Sequence, residues 1–436
     1  MLKKMGVVGA LVALVAGSSL LMSCGSGHGR RSALLYVVSQ SLFNLSSYSL
    51  DLASGDLTLI TNDMPSTCAA SPASSCGLPT SITTDPTGAT AFVLSQNAIS
   101  AYTVNDDGSL SQPTAAATLA SGQTAQGWAV TAAGDMMFVI SNGGSNPTDC
   151  NVDGGYTADC PAISVFSTTP GSTTVTPTGN ACLINMVSQP TCPYSLSRVP
   201  TGVSVMTFTP SGGSAQTMLF VSSNHDLTQS HNDSELSVFS VDSSGNLTEQ
   251  AASPYLAQAP NPLSVYAVNT NPPGPALGGL FVYEGSQAAV TGSVSGWEVC
   301  TVEDSNCTQA DVQNGNLAIA VKPTTIGQNP ITMLADPTNT FLYIACYAGS
   351  NIYAFRMNST NGALTALSPA LVPTGAGPVS LAIHPSSNNS NEFLYVSNNT
   401  GNSLIGYDLN LTTGDLGSPM APVIFTPGNP YGIAGR

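Results

Sequence analysis

The chain has 436 residues, of which 8 are Lys or Arg and 24 are Asp or Glu, so its formal net charge is −16. Only 7% of the residues are charged, whereas about 25% is usual for soluble proteins. This composition excludes coiled coils and charged-helix bundles, which need many Glu, Lys and Arg residues. It also argues against a nucleic-acid partner, because phosphates are bound by basic surfaces.

The first residues have the pattern of an export signal. Lys3 and Lys4 precede an apolar stretch that runs from Gly6 to Leu21. A helix of this length spans about 24 Å, which is short of the roughly 30 Å core of a bilayer. The pattern therefore indicates a signal peptide over residues 1–23 rather than a transmembrane anchor.

The end of this segment, Leu21-Met22-Ser23-Cys24, resembles a bacterial lipobox. The resemblance implies cleavage before Cys24 and acylation of its thiol and its new amino group, and several acyl chains together give stable membrane attachment. The residue after Cys24 is Gly25 and not Asp. By similarity to enterobacterial lipoproteins, this favours the outer membrane. We therefore expect a lipid-anchored protein of the bacterial cell envelope, on the periplasmic or the outer face of the outer membrane, with residues 24–33 as a tether. The alternative is an ordinary secretory signal followed by an unrelated cysteine.

Eight of the ten cysteines form four close pairs in loop-like sequence. The pairs are Cys68 with Cys76, Cys150 with Cys160, Cys182 with Cys192, and Cys300 with Cys307. Local disulfides fit an oxidising compartment, whereas the cysteines of structural zinc sites are usually about two to four residues apart and accompanied by His. We therefore expect four disulfides, no metal and no other cofactor. Cys346 lies in an apolar strand pattern and is expected to be a buried thiol, with a nucleophile as the alternative.

One aromatic strand motif recurs along the chain, as a search for internal repeats shows. Its aromatic residues are Tyr36, Phe92, Phe138, Phe220, Phe281, Tyr343 and Tyr395. A Pro-led segment of alternating apolar residues precedes the motif, and a further strand with a glycine turn such as Asn361-Gly362-Ala363-Leu364 follows it. Glycine adopts positive φ without strain, so each such turn closes a hairpin. Four strands per unit predict the blade of a β-propeller.

The two ends of the repeat array complement each other. The first unit begins near Leu34 directly with its aromatic strand, and the chain ends with Pro430-Tyr431-Gly432-Ile433-Ala434, which has the pattern of the missing Pro-led strand. Pairing of these ends would remove open sheet edges. The sequence therefore predicts an all-β fold, a seven-bladed β-propeller over residues 34–436 whose first blade is closed by the C-terminal strand.

The Asp/His-Pro turn, the Leu-Tyr-Val strand and the closing Thr/Asn-Gly-x-Leu hairpin together resemble a known family. These are the lactonase-type seven-bladed propellers, which include 6-phosphogluconolactonase and the carboxymuconate cyclases. The resemblance covers nearly all of residues 34–436 and is clearest over 329–416. It implies the fold but not the activity, because the motif that repeats is structural.

Neutral side chains dominate the predicted channel mouth, which the ends of the second strands help to form. The residues four positions beyond each aromatic residue are Gln40, Gln96, Asn142, Asn224, Gly285, Tyr347 and Asn399. A neutral ring suits sugars, peptides or other polar molecules, so Asn142, Asn224, Tyr347 and Asn399 are predicted ligand-binding residues. The alternative is that such side chains only complete turns.

Two further residues near this mouth are predicted to contact a ligand. Trp128 follows Gly127 near the start of an inner strand and offers a stacking surface, although packing between blades is the alternative. His225 follows Asn224 and leads into a polar loop that contains Asp226, His231 and Asp233. Hydration of these side chains is the preferred interpretation, and metal binding by the loop is the alternative.

Glu284 is the one carboxylate that interrupts the repeat at a strand end. Counted from Phe281, it corresponds to Ser39, Ser95, Ser141 and Ser223 of other blades. A carboxylate at the mouth is a candidate general base, and a solvated charge at the rim is the alternative. His384 occupies the turn position that Asp85 and Asp336 fill elsewhere, so a turn role is expected for it.

Few cations remain to bind an anionic substrate. Arg30 and Arg31 lie in the tether, Arg436 ends the chain and Arg356 lies in a third strand, which leaves Arg198 and Lys322. A phosphorylated lactone would need a cluster of Arg side chains. Arg198, just ahead of an inner strand, is therefore assigned only to an unphosphorylated substrate, whose carbonyl it would polarise.

The leading hypothesis is a non-catalytic binding module, anchored in the envelope, for glycans, peptides or partner proteins. The alternative is a lactonase-like hydrolase of an unphosphorylated lactone, in which Glu284 activates water and Arg198 polarises the carbonyl. A self-assembling surface-layer component is a weaker alternative. The sequence leaves open whether the protein is an enzyme.

Overall fold

In the computed structural model, the described residues are 33–65, 77–120, 122–143, 161–178, 182–184, 187–189, 194–195, 198–209, 214–226, 234–270, 279–288, 290–304, 306–314, 316–386, 391–426 and 428–435. The expected signal peptide, Cys24 and the tether lie outside them, except for Ala33.

The strands of the first three blades follow in chain order. Blade 1 contains β1 (Ala33–Ser39), β2 (Asn44–Leu50) and β3 (Leu57–Pro65). Blade 2 contains β4 (Pro79–Thr84), β5 (Thr90–Ser95), β6 (Ala98–Thr103) and β7 (Thr114–Thr118). Blade 3 contains β8 (Thr124–Val130), β9 (Met136–Asn142), β10 (Ala162–Thr168) and β11 (Val175–Thr178). A two-stranded sheet of β12 (Cys182–Ile184) and β13 (Val187–Gln189) follows, and β14 (Tyr194–Ser195) pairs with β10.

The remaining blades repeat this arrangement. Blade 4 contains β15 (Arg198–Phe208), β16 (Gln216–Asp226), β17 (Glu235–Val241), β18 (Leu247–Glu249) and β19 (Tyr255–Leu256). Blade 5 contains β20 (Pro262–Asn269), β21 (Leu280–Gln287), β22 (Gly292–Val299) and β23 (Leu317–Ile326), with the short helix α1 (Gln309–Asn314) before β23. Blade 6 contains β24 (Pro330–Ala335), β25 (Phe341–Cys346), β26 (Asn351–Met357) and β27 (Leu364–Pro373). Blade 7 contains β28 (Pro378–Pro385), β29 (Asn391–Asn398), β30 (Ser403–Asn410), β31 (Leu416–Pro419) and β32 (Ile424–Phe425).

The C-terminal strand β33 (Pro430–Gly435) completes blade 1, as the sequence predicts. It pairs antiparallel with β1, and Ser39 lies opposite Pro430 and Tyr36 opposite Ala434. The sheet order of blade 1 is therefore β3-β2-β1-β33. The prediction of a seven-bladed β-propeller closed in its first blade is confirmed.

Each seam between neighbouring blades holds one cluster of buried apolar side chains, and every seam of the ring has its own. Alternate residues of a second strand face opposite seams, because side chains alternate along a strand. Tyr36 therefore packs toward blade 2, whereas Val37 packs toward blade 7. Burial on both faces explains why the second strands are almost continuously apolar.

The two recurring motifs meet across the seams. Tyr343 donates its hydroxyl hydrogen to the carbonyl oxygen of Gly414, in the glycine turn of the next blade, at 2.7 Å. The same bond joins three other pairs: Tyr36 to Gly108, Tyr283 to Gly362 and Tyr395 to Gly55. These turn glycines have positive φ, and a Cβ at Gly414 would collide with the ring of Phe341. Only glycine therefore satisfies both the turn and the close approach.

The described part of the chain has no helix with the length and hydropathy needed to cross a membrane.

Candidate functional site

The inner strands of blades 3 to 6 line a cavity of about 480 Å³ in the central channel. These strands are β8, β15, β20 and β24, and each is the last strand on its side of the sheet. One edge of each inner strand therefore has no partner strand, and its backbone N–H and C=O groups face the channel. The cavity size lies in the range of small-molecule sites.

The cavity wall is polar but uncharged. Its polar side chains are Gln126, Trp128, Thr201, Ser204, Ser264, Tyr266 and Thr332. Among the described residues that line it, none has a carboxylate, imidazole, ammonium, guanidinium or thiol group. Burial raises the pKa of Tyr266, so this hydroxyl stays protonated near neutral pH. The wall can therefore exchange hydrogen bonds with a ligand but offers no charged partner to an anion.

Hydroxyl groups on the wall also join neighbouring blades. The Ala267 N–H donates to Ser204 Oγ at 2.9 Å, and Ser264 Oγ donates to the Pro330 carbonyl at 2.7 Å. At Gly202 the inner strands of blades 4 and 5 come so close that a Cβ would lie 2.9 Å from the backbone nitrogen of Val265. The wall between these two blades is therefore held by backbone contact.

Trp128 packs between blades, which was the alternative for it, and it also lines the cavity. It lies inside β8, opposite Val139, and part of its surface lines the cavity. The rest packs against the apolar cluster of the seam between blades 2 and 3, and its indole N–H donates to Ser81 Oγ at 3.0 Å. The bond fixes the ring, so a ligand would meet a preformed aromatic surface.

Three of the four strand-end side chains predicted to bind a ligand make hydrogen bonds within the protein. Asn224 Oδ1 accepts from Ser234 Oγ at 3.3 Å, and Asn399 Nδ2 donates to the Pro430 carbonyl at 3.4 Å. The Tyr347 hydroxyl is 2.9 Å from Thr400 Oγ1. Asn142 Oδ1 is buried without a hydrogen-bond partner among the described residues. Of these, Asn142 alone has an unused acceptor that is sheltered from water.

The register of blade 5 corrects the position assigned to Glu284. Pro262 lies opposite Ser286, in the same way as the corresponding Pro79 and Pro200 lie opposite Ser95 and Ser223. Ser286, not Glu284, is thus the counterpart of those serines. The prediction differs from the structure because Phe281 matches the motif aromatic in sequence, whereas Tyr283 makes the bond to the next blade.

The same correction applies to the strand end of blade 5. The residue four positions beyond Tyr283 is Gln287, not Gly285. Gln287 Oε1 accepts the N–H of Asn329, at the start of blade 6, at 2.5 Å. An amide therefore occupies this strand end as well.

Glu284 lies in the middle of β21 and not in a rim loop. Its side chain is 0% exposed and points into the seam between blades 4 and 5, where Trp297 Nε1 donates to its Oε2 at 2.8 Å. Burial raises the pKa of Glu284 to about 7, and the bond from Trp297 offsets part of that rise. The residue does not line the cavity, although its cross-strand partner Val265 does. The interpretation of Glu284 as a solvated charge at the rim is therefore wrong.

The other two charged candidates have side chains outside the described structure. The backbone of Arg198 begins β15 and lies opposite Asp226, and His225 lies in β16. The polar loop residues His231 and Asp233 also lie outside the described residues. Among the described residues, one group of ligand-type side chains is present, Glu298 with Asp304 and Cys307, but the Cys307 sulfur is bonded to Cys300.

One of the four predicted disulfides falls on described residues, and it is present. Cys300 and Cys307 are bonded, with their Cα atoms 5.5 Å apart, and the bond closes the loop between β22 and α1. The other three predicted pairs are Cys68 with Cys76, Cys150 with Cys160, and Cys182 with Cys192. The backbone of Cys182 is described in β12, but its side chain and the other five cysteines lie outside the described structure. These three disulfides therefore stay predictions.

The unpaired cysteine of the repeat, Cys346, is buried and free, as expected. Burial raises the pKa of its thiol to about 12, so that little thiolate forms near neutral pH. Because the thiolate is the reactive form, Cys346 is a weak nucleophile.

His384 is buried in β28, opposite Phe393, and not in an exposed turn. Asp336, at the corresponding position of blade 6, does organise its turn, because its Oδ1 accepts the N–H groups of Thr340 and Phe341. Asp85 has a similar role and also accepts the N–H of Gly171 from blade 3. Asp85 borders a second cavity of about 410 Å³ between blades 2 and 3.

Most residues of the central cavity were not found from the sequence. Ser264 and Tyr266 lie on the inner strand of blade 5 and Thr332 on that of blade 6, and these two strands come together only when the ring assembles. Their shared signal is the position within the repeat, because Ser264 and Thr332 each stand two residues after the strand-opening proline.

Similar solved structures have the same propeller fold. A putative 6-phosphogluconolactonase from Bacteroides fragilis is 14% identical, with a TM-score of 0.59 over 94% of this chain and 100% of that one. A periplasmic gluconolactonase from Pseudomonas aeruginosa is also 14% identical, with a TM-score of 0.56 over 92% of this chain and 98% of that one. A putative 6-phosphogluconolactonase from Bacteroides uniformis is 15% identical, with a TM-score of 0.56 over 93% of this chain and 100% of that one.

No protein-family model and no curated protein matches the sequence. The chain has the fold of the 6-phosphogluconolactonase-like seven-bladed propellers. At these identities the similarity establishes the fold and leaves the activity to be argued from the site.

Proposed function

We propose that the protein is a lipid-anchored envelope propeller that binds an uncharged polar small molecule, such as a saccharide, in its channel cavity. The observation that carries this proposal is the cavity of about 480 Å³ with its aromatic, hydroxyl and amide wall, in which none of the described lining residues is charged. Saccharides are bound by hydrogen bonds together with an aromatic face. Here the free edges of the inner strands supply hydrogen-bonding groups, and Trp128 supplies the aromatic face.

Attachment to the membrane is the part of the proposal that rests on the sequence. The lipobox-like Leu21-Met22-Ser23-Cys24 supports acylation of Cys24, and the disulfide Cys300–Cys307 fits an oxidising compartment. Membrane fractionation of the full chain tests it. Cys24→Ser should release the protein from the membrane fraction, and retention of that variant there would contradict the assignment.

Binding is tested by tryptophan fluorescence and calorimetry with a panel of neutral saccharides. The chain has two tryptophans, so Trp297→Phe leaves Trp128 as the reporter at the cavity. We expect a ligand to shift the emission of that variant, and Trp128→Ala to weaken binding about tenfold or more, since an aromatic contact contributes roughly 0.5–1.5 kcal/mol beyond its buried area. Equal affinity of Trp128→Ala and the parent protein would refute the proposed site.

Hydrolysis of an unphosphorylated lactone is the second candidate function. The observation that favours it is the similarity in fold to proteins described as a putative 6-phosphogluconolactonase and a periplasmic gluconolactonase. In that case Arg198 is the predicted carbonyl-polarising group, and Glu284, which is buried behind the cavity wall, could act as the base only after the seam opens. Because none of the described lining residues is charged, the cavity also favours an unphosphorylated lactone over a phosphorylated one.

A pH-stat assay on a panel of lactones, corrected for spontaneous opening, separates the two functions. The binding module is expected to show no turnover above background. Turnover on the order of 1 s⁻¹ or more that is lost in both Glu284→Gln and Arg198→Ala would establish the hydrolase instead. Turnover unchanged in Glu284→Gln would remove Glu284 from that mechanism.

A further inference from the structure

Blade 5 departs from the other blades at two neighbouring positions of its seam with blade 4. The register places Glu284 where the second strands of the other blades carry a Val or Ile. Those residues are Val37, Val93, Val139, Val221, Ile344 and Val396. Trp297, at the neighbouring position of the third strand, replaces a Tyr or Phe such as Phe239 or Phe355. The two departures are joined by the hydrogen bond from the indole to the carboxyl group.

The seam gives this carboxyl group a single donor. Glu284 Oε2 accepts from Trp297, but Oε1 is buried without a partner among the described residues. Ser295, directly opposite, and Ser286, on the same face of the strand, are also buried with hydroxyl groups that have no partner there. An ionised carboxylate needs several donors to replace its lost hydration, so this site is built for the neutral acid.

No charged side chain of the described structure compensates Glu284. The side chains that blade 4 packs against this face are mostly apolar, among them Met206, Phe220 and Val238, and the Ser204 hydroxyl there accepts the Ala267 N–H. The titratable group packed nearby is Tyr255, whose ring lies 5.7 Å from that of Trp297 and whose oxygen accepts the Leu317 N–H. Burial is accordingly the main cause of the raised pKa of Glu284, which reaches about 7.

We propose that Glu284 is a proton-binding site that locks the seam between blades 4 and 5, and that loss of its proton loosens this seam. The proton leaves Oε1 or Oε2 to water, and the carboxylate that remains draws water into an otherwise apolar cluster. The bond from Trp297 persists and strengthens, but it is one donor for a full buried charge.

The lock lies directly behind the ligand cavity. Val265, opposite Glu284 on the neighbouring strand, lines that cavity, as do Val203 and Val205 of blade 4. Close contact of the two inner strands at Gly202 transmits a widened seam to the cavity wall. A lower ligand affinity above neutral pH follows, and this consequence rests on the proposed function, whereas the lock itself does not.

The emission of Trp297 reports the proton directly. In Trp128→Phe, which leaves Trp297 as the sole tryptophan, we expect one transition between pH 5 and 9 with a midpoint near 7. Adding Glu284→Gln, which keeps the acceptor for the indole, should abolish it. Adding Glu298→Gln should leave it, because that second buried carboxyl of blade 5 bonds Asn306 and lies on the strand face opposite Trp297. A flat titration, or a transition that survives Glu284→Gln, would overturn the proposal.

Hydrogen exchange tests whether the seam loosens. After correction for intrinsic rates, the amides of β15 and β20 in the parent protein should exchange at least several-fold faster at pH 8 than at pH 6. In Glu284→Gln the corrected rates at the two pH values should be the same. Equal changes in both proteins would overturn the lock. Because neither measurement uses a ligand, failure of ligand binding leaves both results intact and is recognised separately.

Discussion

Restoring the repeat in blade 5 should remove a pH-dependent penalty on the stability of the fold. The perturbation is Glu284→Val with Trp297→Phe, which copies the pair Val221 and Phe239 of blade 4. The double replacement avoids leaving the indole N–H of Trp297 buried without an acceptor, a defect that by itself costs about 1–3 kcal/mol.

The magnitude follows from the two pKa values of Glu284. Its pKa is about 7 in the folded protein, against an ordinary 4.5. The folded protein therefore holds this proton over a pH range in which the unfolded chain has lost it, so its contribution is complete below pH 4.5 and is lost as pH rises through 7. At about 1.36 kcal/mol per unit, the loss is about 3 kcal/mol.

The assay is chemical denaturation of both proteins at half-unit steps from pH 4.5 to 8.5. The difference in the free energy of unfolding should shift by about 3 kcal/mol in favour of the double variant as pH rises to 7, and then stay constant. Glu298, whose pKa burial also raises to about 7, is present in both proteins and cancels in the difference. A difference that is independent of pH would refute the reasoning, because it would mean that Glu284 has the same pKa folded and unfolded.

Two further predictions concern the seams, and both are measured by urea titration. Tyr343→Phe removes the buried hydroxyl bond to Gly414 and should lower the free energy of unfolding by about 1 kcal/mol. No measurable decrease would show that this bond does not hold the blades together. Gly202→Ala places a Cβ 2.9 Å from the Val265 nitrogen and should lower the free energy of unfolding by about 1–3 kcal/mol. Gly127→Ala is the control, because its Cβ would have no neighbour nearer than 3.9 Å. Equal urea midpoints for the two alanine variants would contradict the close contact.

The fold was predictable because its two signals are local. An aromatic strand and a glycine turn can each be recognised within a few residues, and the structure shows why they recur together: Tyr343 bonds the turn at Gly414 of the next blade. Ring closure was predictable for the same reason, since the strand that follows Asn429 has the local pattern that blade 1 lacks.

The cavity was less predictable because it depends on alignment between blades. Blade 5 offers two aromatic residues in alternation, Phe281 and Tyr283, and only the register with Pro262 distinguishes them. An error of two residues keeps a side chain on the same face but moves it along the strand, which placed Glu284 at the rim. Tyr266 carries no signal of its own, since its contact with the cavity exists only after the blades assemble.

The position of the blade 5 exception bears on function. A carboxyl group in an apolar seam opposes the packing that the other blades share, and such local conflicts tend to persist where they serve a function. The conflict falls in the seam whose inner strands form one wall of the cavity, and not in the seams on the far side of the ring. None of the described residues that line the cavity has a side chain that titrates near neutral pH. Glu284 supplies a titratable group one strand behind the wall, where a proton changes the shape of the site without adding charge to it.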